Sequence, residues 1–385
     1  MTTRVLFYVQ HLLGIGHVKR AAAIARAMAE RDDLAVTVAL GGPPVPVAHF
    51  GAAEIAHLPE VFAADSSFKP LLDENGDPID DAWRERRAKA MMDLYGRVRP
   101  DVMMFEMFPF GRRQFRFELL PLLQAARERA DPPKIISSVR DVLVAKDKPE
   151  RNDEMLDLAR TWFDHVFVHG DPDLIPFEAT FPPGAAIKDL VRYTGYVVDR
   201  RSDMQKTDAG SGEIVVSVGA VAVGGPLMNV VLSARPLSRA ADLPWRLLTG
   251  PNLDEELAAR LRAEAPPGVV VEPARTDFPI ILENCLLSVS LAGYNTVMDL
   301  MTTRPRAVVA PFAEGEETEQ AFRARLLAAR GVFKMLEPAD LTPKSLAAAI
   351  DAALEMEMSA VPEIDLSGAE TTAALIAEIA GAQKR

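Results

Sequence analysis

The chain has 385 residues, more than the roughly 250–300 at which one hydrophobic core usually divides, so we expect two domains. Its formal net charge of −12 argues against nucleic-acid binding, because neutralising phosphates requires a basic face. The single cysteine, Cys285, excludes an internal disulfide framework and a cysteine-based zinc site.

The N-terminal half alternates apolar strand patterns with helical ones, which predicts a parallel α/β sheet. No apolar run reaches the roughly 18 residues that span a bilayer, and no secretory signal precedes the first strand, so we expect a cytoplasmic protein. A polar stretch at 62–78 predicts a long surface loop. The predicted strands are 5–9, 34–40, 53–58, 101–106, 134–138, 165–168 and 194–198, and the predicted helices include 18–30 and 80–98.

The C-terminal half repeats this arrangement after a polar segment at 199–212, which predicts an interdomain linker. Strands are predicted at 213–219, 245–250, 269–272, 286–290, 306–311 and 333–336, and helices at 253–264, 277–284, 321–330, 341–354 and 369–382. We therefore expect a Rossmann-like domain at 1–198, a second at 213–364, and a C-terminal helix in 365–385. A ligand site in the cleft between two such domains is the default expectation.

A glycine-containing turn follows the first strand and ends in a histidine. Gly14 and Gly16 allow close approach of the backbone to a ligand, and His17 stands at the predicted helix start. This turn resembles the Gly-Gly-His loop with which many glycosyltransferases of GT-B fold begin, and in several of them that histidine activates the acceptor hydroxyl. Imidazole titrates near neutral pH, so His17 is our first choice of general base. The alternative is a helix-start histidine that hydrogen-bonds locally.

Polar residues also follow the later strands of the N-terminal half: Glu106, Arg140, Asp141, His169 and Asp171. Each has a structural explanation singly; Asp171, for example, could cap a turn. Their shared position after parallel strands favours a cleft. We expect Glu106 and Asp171 to be further catalytic candidates and His11, Gly14, Gly16, Arg112, Arg140 and His169 to face the acceptor.

A basic span also lies in this half. It comprises Arg84, Arg86, Arg87, Arg97, Arg99, Arg112, Arg113 and Arg116, and it includes the aromatic loop 107–113. Arginines beside aromatic side chains suit an anionic lipid surface, which leaves open a peripheral contact with the inner face of a membrane. We favour a solvated face for the arginines and burial for the aromatic side chains.

A second motif lies in the C-terminal half: Gly293-x-x-Thr296-Val297-x-Asp299, then Pro311-Phe312, then Glu319-Gln320. It resembles the donor half of the MurG-like glycosyltransferases of GT-B fold, glycosyltransferase family 28. The resemblance implies that the acid on the first helix binds the ribose of a uridine diphosphate sugar and that a Gln pair holds the sugar hydroxyls. Here Asp299 replaces a Glu and Glu319 replaces the first Gln. Without the resemblance, both would read as exposed helix residues.

The resemblance also implies that the uracil lies near Arg275 and Thr276 and that the C-terminal helix packs back on the N-terminal domain. We expect Asn295 or Thr296 to cap the helix that carries Asp299. The helix starts after Gly219 and Gly293 should stabilise the leaving diphosphate, so neither a cofactor nor a tightly bound metal is needed. The expected donor-binding residues are Ser217, Gly219, Gly225, Arg275, Thr276, Gly293, Tyr294, Asn295, Thr296, Asp299, Glu319 and Gln320.

These expectations combine into an inverting glycosyltransferase of GT-B fold, with two Rossmann-like domains facing each other across a cleft. The donor would be a nucleotide sugar similar to UDP-GlcNAc, and the acceptor a hydroxyl of a lipid-linked or polysaccharide-related molecule. One alternative is a GT-B-fold nucleotide-sugar epimerase or hydrolase that uses the carboxylates Glu106, Asp141 and Asp171. Another is a non-catalytic module that binds a sugar nucleotide or a lipid.

Overall fold

The computed structural model describes residues 2–12, 16–46, 48–63, 70–143, 149–198, 207–219, 224–250, 252–312, 319–358 and 363–383. The chain divides into two compact units. The first unit combines Met1–Asp199 with Asp365–Arg385, and the second is Arg200–Ile364. Gly14 and the acidic segment 313–318 before Glu319 lie outside the described residues.

The first unit is an α/β layer. Its strands are β1 (Thr3–Val9), β2 (Leu34–Leu40), β3 (Glu54–His57), β4 (Val61–Ala63), β5 (Leu71–Asp73), β6 (Val102–Glu106), β7 (Lys134–Arg140), β8 (His165–His169) and β9 (Val191–Tyr193). Its helices up to this point are α1 (Gly16–Ala29), α2 (Asp81–Val98), α3 (Arg116–Arg127), α4 (Pro149–Trp162) and α5 (Phe177–Thr180).

Seven of these strands form a parallel sheet in the order β3-β2-β1-β6-β7-β8-β9. Both faces of the sheet are covered, which explains the continuous apolar run in β1. Val5, Phe7 and Val9 pack into one core. Leu6 and Tyr8 pack into the core on the other face.

The second unit repeats the layer. Its strands are β10 (Ile214–Ser217), β11 (Trp245–Thr249), β12 (Val269–Pro273), β13 (Leu287–Ser290), β14 (Ala307–Val309) and β15 (Lys334–Met335). They form a parallel sheet in the order β12-β11-β10-β13-β14-β15. The helices are α6 (Gly225–Ala234), α7 (Glu255–Glu264), α8 (Phe278–Asn284), α9 (Tyr294–Thr303), α10 (Glu319–Ala329) and α11 (Pro343–Leu354).

The last helix, α12 (Gly368–Gln383), belongs to the first unit. Its apolar residues Ala369, Ala373, Ile376 and Ala380 join the core that also contains Ile24 and Met28 of α1. Their spacing of three to four residues places them on one helix face. The C-terminal segment therefore returns from the second unit and completes the hydrophobic core of the first.

Three predicted segments differ from the structure. The predicted loop 62–78 contains the antiparallel pair β4 and β5. The predicted strand 194–198 follows β9 instead of forming the last strand, and there the Tyr196 N–H donates to the Asp365 carbonyl at 2.8 Å. The end of the predicted linker belongs to the second unit, because the Asn284 side chain donates to the carbonyls of Thr207 and Ala209.

The order of the strands determines where a ligand can bind. In each sheet the chain first adds strands on one side of the first strand and then on the other. The topological switch points therefore lie between β1 and β6 and between β10 and β13. In open α/β sheets the crevice at the carboxyl ends of such a strand pair is the usual ligand site.

Candidate active site

His17 and Glu106 meet at the switch point of the first unit. The first helix begins at Gly16, two residues earlier than predicted, so His17 lies in the first turn of α1. Glu106 is the last residue of β6. His17 Nδ1 lies 2.6 Å from Glu106 Oε1. The neighbouring strands β1 and β6 thus bring together two residues that are 89 positions apart in the chain.

The Glu106 carboxylate is fully buried and held by cations. Arg20 donates to Oε1 at 2.7 Å, and Arg112 donates to Oε2 at 3.0 Å. Burial acts to raise the pKa of Glu106, but His17, Arg112 and Arg20 together hold that pKa well below its usual range. Glu106 is therefore ionised at neutral pH and can only accept hydrogen bonds.

The state of His17 follows from this carboxylate. Burial lowers the pKa of His17 from 6.5 to about 4; Glu106 opposes the shift, and Arg112 and Arg140 add to it. The imidazole is thus neutral at pH 7, and its Nδ1–H donates to Glu106, which leaves the Nε2 lone pair as a proton acceptor. The side chain keeps 23% of its surface accessible, so a ligand can reach it.

His11 lies in the wall of the same region. It is 5% exposed, and burial lowers its pKa to about 4, with Arg112 adding to the shift. A Cβ on Gly42 would collide with the His11 ring, so the glycine permits this packing. His11 therefore has little surface to offer an acceptor.

His169 is not available to a ligand, which corrects its expected acceptor contact. It has no exposed surface, and burial lowers its pKa to about 3. The Thr194 hydroxyl donates to the Gly195 carbonyl at 3.1 Å, so it accepts from His169 Nδ1 at 2.8 Å. Nε2 then accepts from the Ser138 hydroxyl at 2.8 Å. Both ring nitrogens are used inside the fold.

Asp171 caps a turn, the structural explanation that the sequence had left open. Its Oδ1 accepts from the backbone N–H of Asp173 at 2.9 Å. A short polar side chain that accepts from the backbone two residues ahead forms an Asx turn. The structure gives no support to a catalytic role for Asp171.

The remaining residues of the acceptor side lie in different surroundings. Arg112 contacts Glu106 directly, and the charge of the half-buried Arg140 acts on His17, so both arginines lie beside the histidine. Gly16 begins α1. Gly14 lies outside the described residues. Asp141 is fully buried beneath Gly170, where an added Cβ would lie 2.9 Å from the Asp141 side chain.

The basic span of the first unit is largely neutralised, so the lipid-surface interpretation loses its support. The aromatic side chains of the 107–113 loop, Phe108 and Phe110, are 0% and 2% exposed. The ion pairs are Arg84 with Asp81, Arg86 with Glu74, Arg87 with Glu118, Arg97 with Glu54, Arg112 with Glu106, and both Arg113 and Arg116 with Glu154.

The structure yields two negative findings for the part of the chain that it describes. No helix there is both long and apolar enough to cross a membrane. The same residues contain no group of three or more His, Cys, Asp or Glu side chains arranged to hold a metal ion.

A second candidate region lies at the switch point of the second unit. Gly219 follows β10 with φ +65°, a conformation that L-residues rarely adopt. A Cβ on Gly219 would lie 3.6 Å from the Thr296 hydroxyl of α9, and one on Gly250 would collide with the Gly219 carbonyl. The loops after β10, β11 and β13 therefore converge. Gly225 begins the partly exposed start of α6.

The start of α9 differs from the prediction. Gly293 occupies the N-cap position, so Asn295 and Thr296 lie in the first turn and do not cap the helix. Among the described residues no side chain caps this end, and the first N–H groups remain suited to an anionic ligand. Asp299 is partly buried three residues after Thr296, on the same face of the helix.

Two buried serines adjoin this region, and only Ser217 was predicted from the sequence. Ser217 and Ser290 end the adjacent strands β10 and β13 and are register partners. They are 4% and 0% exposed, and neither hydroxyl has a hydrogen-bond partner among the described residues. The final position of a buried strand, three residues before the predicted donor residue Gly293, was the signal that could have identified Ser290.

The other predicted donor residues have internal partners to differing degrees. Arg275 forms two hydrogen bonds with Asp277, at 2.8 and 2.6 Å, beside the exposed Thr276. Glu319 is 7% exposed and pairs with Arg323 at 2.7 Å. The Gln320 Oε1 atom accepts a long hydrogen bond from the Phe312 N–H at 3.4 Å.

Two arginines of these regions were missed by sequence reasoning. Arg20 follows His17 by three positions, and Arg323 follows Glu319 by four, so each shares a helix face with a predicted residue. That spacing was the available signal. It does not reveal that Arg20 and Arg323 are 4% and 0% exposed.

Comparison with known proteins agrees with this architecture. Residues 214–379 match the glycosyltransferase family 28 C-terminal domain. No curated protein sequence matches the chain.

Solved glycosyltransferase structures resemble the whole chain. The calicheamicin glycosyltransferase CalG4 has a TM-score of 0.66 at 16% identity, covering 100% of this chain and 99% of its own. MurG from Acinetobacter baumannii has a TM-score of 0.60 at 17% identity, covering 97% and 99%. UGT2 from Phytolacca americana, complexed with UDP-2-fluoro-glucose and pterostilbene, has a TM-score of 0.64 at 12% identity and covers 100% of both chains. These likenesses show the GT-B fold.

Proposed function

We propose that this GT-B glycosyltransferase, whose residues 214–379 carry the family 28 C-terminal domain, transfers a sugar from a UDP-sugar to an acceptor hydroxyl with inversion at the anomeric carbon. The observation that carries the proposal is the His17–Glu106 pair, an accessible neutral imidazole fixed by a buried ionised carboxylate at the switch point of the first sheet.

The proposed chemistry uses the free nitrogen of His17. Nε2 takes the proton of the acceptor hydroxyl while the hydroxyl oxygen attacks the anomeric carbon. The bond from that carbon to the diphosphate oxygen breaks, and its electrons leave with the UDP. Glu106 stabilises the imidazolium that forms, because its carboxylate accepts from Nδ1 at 2.6 Å.

The donor would be held by the second unit. The first turn of α9 supports a diphosphate site, since its backbone N–H groups have no side-chain cap among the described residues. Gly219 adjoins this turn, because a Cβ there would lie 3.6 Å from the Thr296 hydroxyl. Ser217 contributes a buried hydroxyl beside them. Asp299, one turn into α9, is the proposed ribose ligand. Stabilisation of the leaving group by these fixed dipoles is the proposed alternative to a bound metal ion.

The geometry favours transfer over epimerisation or hydrolysis. The latter reactions were considered because three carboxylates follow the strands of the first unit. Glu106 is fully engaged by His17, Arg20 and Arg112. Asp171 caps a turn, and Asp141 is fully buried. The His17 imidazole is accessible and its Nε2 is not used by Glu106, which suits activation of an acceptor hydroxyl.

A donor screen followed by a transfer assay tests the proposal. We expect UDP to raise the thermal midpoint more than thymidine, adenosine or guanosine diphosphate, because a ligand that binds only the folded state stabilises it. With a UDP-sugar of α configuration, nuclear magnetic resonance of the product should show a β linkage. Release of free sugar at the same rate with and without acceptor would instead favour hydrolysis and contradict the proposal.

A further inference from the structure

A fully buried arginine links the starts of two helices in the second unit. Arg323 of α10 is 0% exposed. Its Nη2 atom donates to Glu319 Oε1 at 2.7 Å, one helical turn earlier, and its guanidinium carbon lies 5.1 Å from the centre of the Tyr294 ring. Tyr294 is the first residue of α9, and Glu319 is the first residue of α10.

This bridge has a clear energetic basis. A buried guanidinium is costly unless a counter-charge and hydrogen bonds compensate for the lost water. Glu319, itself 7% exposed, supplies the counter-charge. The face of the Tyr294 ring adds a cation–π attraction, which strengthens when the cation is desolvated. The planar guanidinium contacts Tyr294 at the start of α9 and Glu319 at the start of α10. Movement of either helix start would therefore break one of these two contacts.

The location of the bridge gives it a functional meaning. The first turn of α9 has no side-chain cap among the described residues, so no capping hydrogen bond holds its N–H groups in place. The same turn carries Asn295 and Thr296, and the first turn of α10 carries Gln320. Arg323 thus connects the two helix starts at which the proposed donor site is built.

We propose that Arg323 is a positioning residue for the donor site, which orders the first turn of α9 through Tyr294 and is charge-compensated by Glu319. This inference rests on the proposed function, because it assumes that the donor binds at these helix starts. Glu319 acts as the counter-ion of Arg323, which explains why a carboxylate stands where the family resemblance led us to expect an amide. Selection of the sugar then falls to residues other than Glu319.

The test compares three variants of the full chain with a matched control. Arg323→Met removes the charge but keeps an apolar stem. The double variant Glu319→Gln with Arg323→Met removes both charges of the pair. Arg323→Lys keeps the charge but loses the planar fork. The control is Arg325→Met, which removes an exposed arginine of the same helix that pairs with Glu337.

Two measurements are made on each variant, in addition to its thermal midpoint. Amide hydrogen exchange of the first turn of α9 reports its order without any ligand, and calorimetry reports the affinity for UDP. We expect Arg323→Met to speed the exchange and weaken UDP binding, each by about tenfold or more, with partial rescue in Arg323→Lys. Arg325→Met should change neither.

The double variant separates positioning from stability. Its thermal midpoint should return towards that of the parent, because removal of both partners of a buried pair is often close to neutral. Exchange and UDP affinity should stay impaired, because the bridge is still missing. If amide exchange and UDP affinity returned to parental values together with the thermal midpoint, Arg323 would only stabilise the fold, and the inference would be overturned. If the parent binds no UDP, the proposed function fails, and the exchange data still decide whether Arg323 orders α9.

Discussion

His17 Nδ1 lies 2.6 Å from Glu106 Oε1, between the first turn of α1 and the end of β6. The contact fixes the tautomer of the imidazole, because an ionised carboxylate can only accept and Nδ1 must therefore carry the hydrogen. It also orients Nε2 away from the carboxylate. The pair therefore has the geometry that a general base requires before any substrate binds.

The first prediction concerns the base itself. We expect His17→Ala to reduce sugar transfer by about 10²–10⁴-fold, the usual range for loss of a general base. Binding of UDP should be nearly unchanged, because the proposed donor residues lie in the second unit. Steady-state kinetics and calorimetry with UDP measure the two effects separately.

The control for this variant is His57→Gln, which alters an exposed histidine of β3 and should leave transfer intact. Transfer by His17→Ala at the parental rate would require another base. Loss of both transfer and UDP binding would mean that His17 organises the fold and does not act as a base.

The second prediction concerns the carboxylate that holds the base. Glu106→Gln keeps the shape of the side chain but removes its charge, so the imidazolium formed during transfer loses its stabilising partner. We expect kcat to fall by about 10²–10⁴-fold, with little change in the KM for the donor. Because Glu106 acts to raise the pKa of His17, the variant also leaves a weaker base.

A structural effect must be separated from this catalytic one, since Arg20 and Arg112 would lose their buried counter-charge. Thermal unfolding of Glu106→Gln measures that loss. A variant with a lowered thermal midpoint but parental kcat at a temperature where it is folded would show that Glu106 only stabilises the first unit.

Much of the fold could be predicted because it depends on local patterns. Continuous apolar runs such as β1 and β6 predict buried parallel strands, and a glycine turn followed by a helical pattern predicts α1. Predictions were wrong where the pattern was short or ambiguous. The three-residue strands β4 and β5 lie in a stretch rich in turn residues, and 194–198 is apolar because it packs against the returning C-terminal segment.

The candidate site was predictable only in part, because side-chain partners come from distant parts of the chain. His17 was identified from the glycine turn and its family resemblance, and Glu106 from its position at the end of a strand; strand order brings them together. The same reasoning also selected His169 and Asp171, whose side chains the fold uses internally. A position after a strand identifies the edge of the sheet but not the direction in which a side chain points.

The third prediction concerns the donor. We expect Asp299→Ala to weaken UDP binding by about 1–3 kcal/mol, the range for losing hydrogen bonds to a charged group. Isothermal calorimetry measures the change. Glu256→Ala serves as the control, because it removes an exposed acid from α7 of the same unit. Equal affinity of Asp299→Ala and the parent would remove Asp299 from the donor site.

The last prediction concerns stability in acid, and it follows from the buried histidine His169. Its pKa is lowered to about 3 by burial, against an ordinary value of 6.5. Between these values the unfolded chain binds the proton and the folded chain does not, so the free energy of unfolding decreases as pH falls through this range. His11 and His17, with pKa values lowered to about 4, contribute in the same direction.

We therefore expect the free energy of unfolding, measured with urea, to be retained above pH 6.5 and to decline towards pH 4, by about 1.4 kcal/mol per pH unit for each of these three histidines. His169→Gln does not titrate at this position, so its stability should start lower at pH 7 and decline less steeply. His57→Gln should keep the parental slope. An equal slope in His169→Gln and the parent would show that His169 takes up its proton at the same pH in the folded and unfolded chains, which would contradict the lowered pKa.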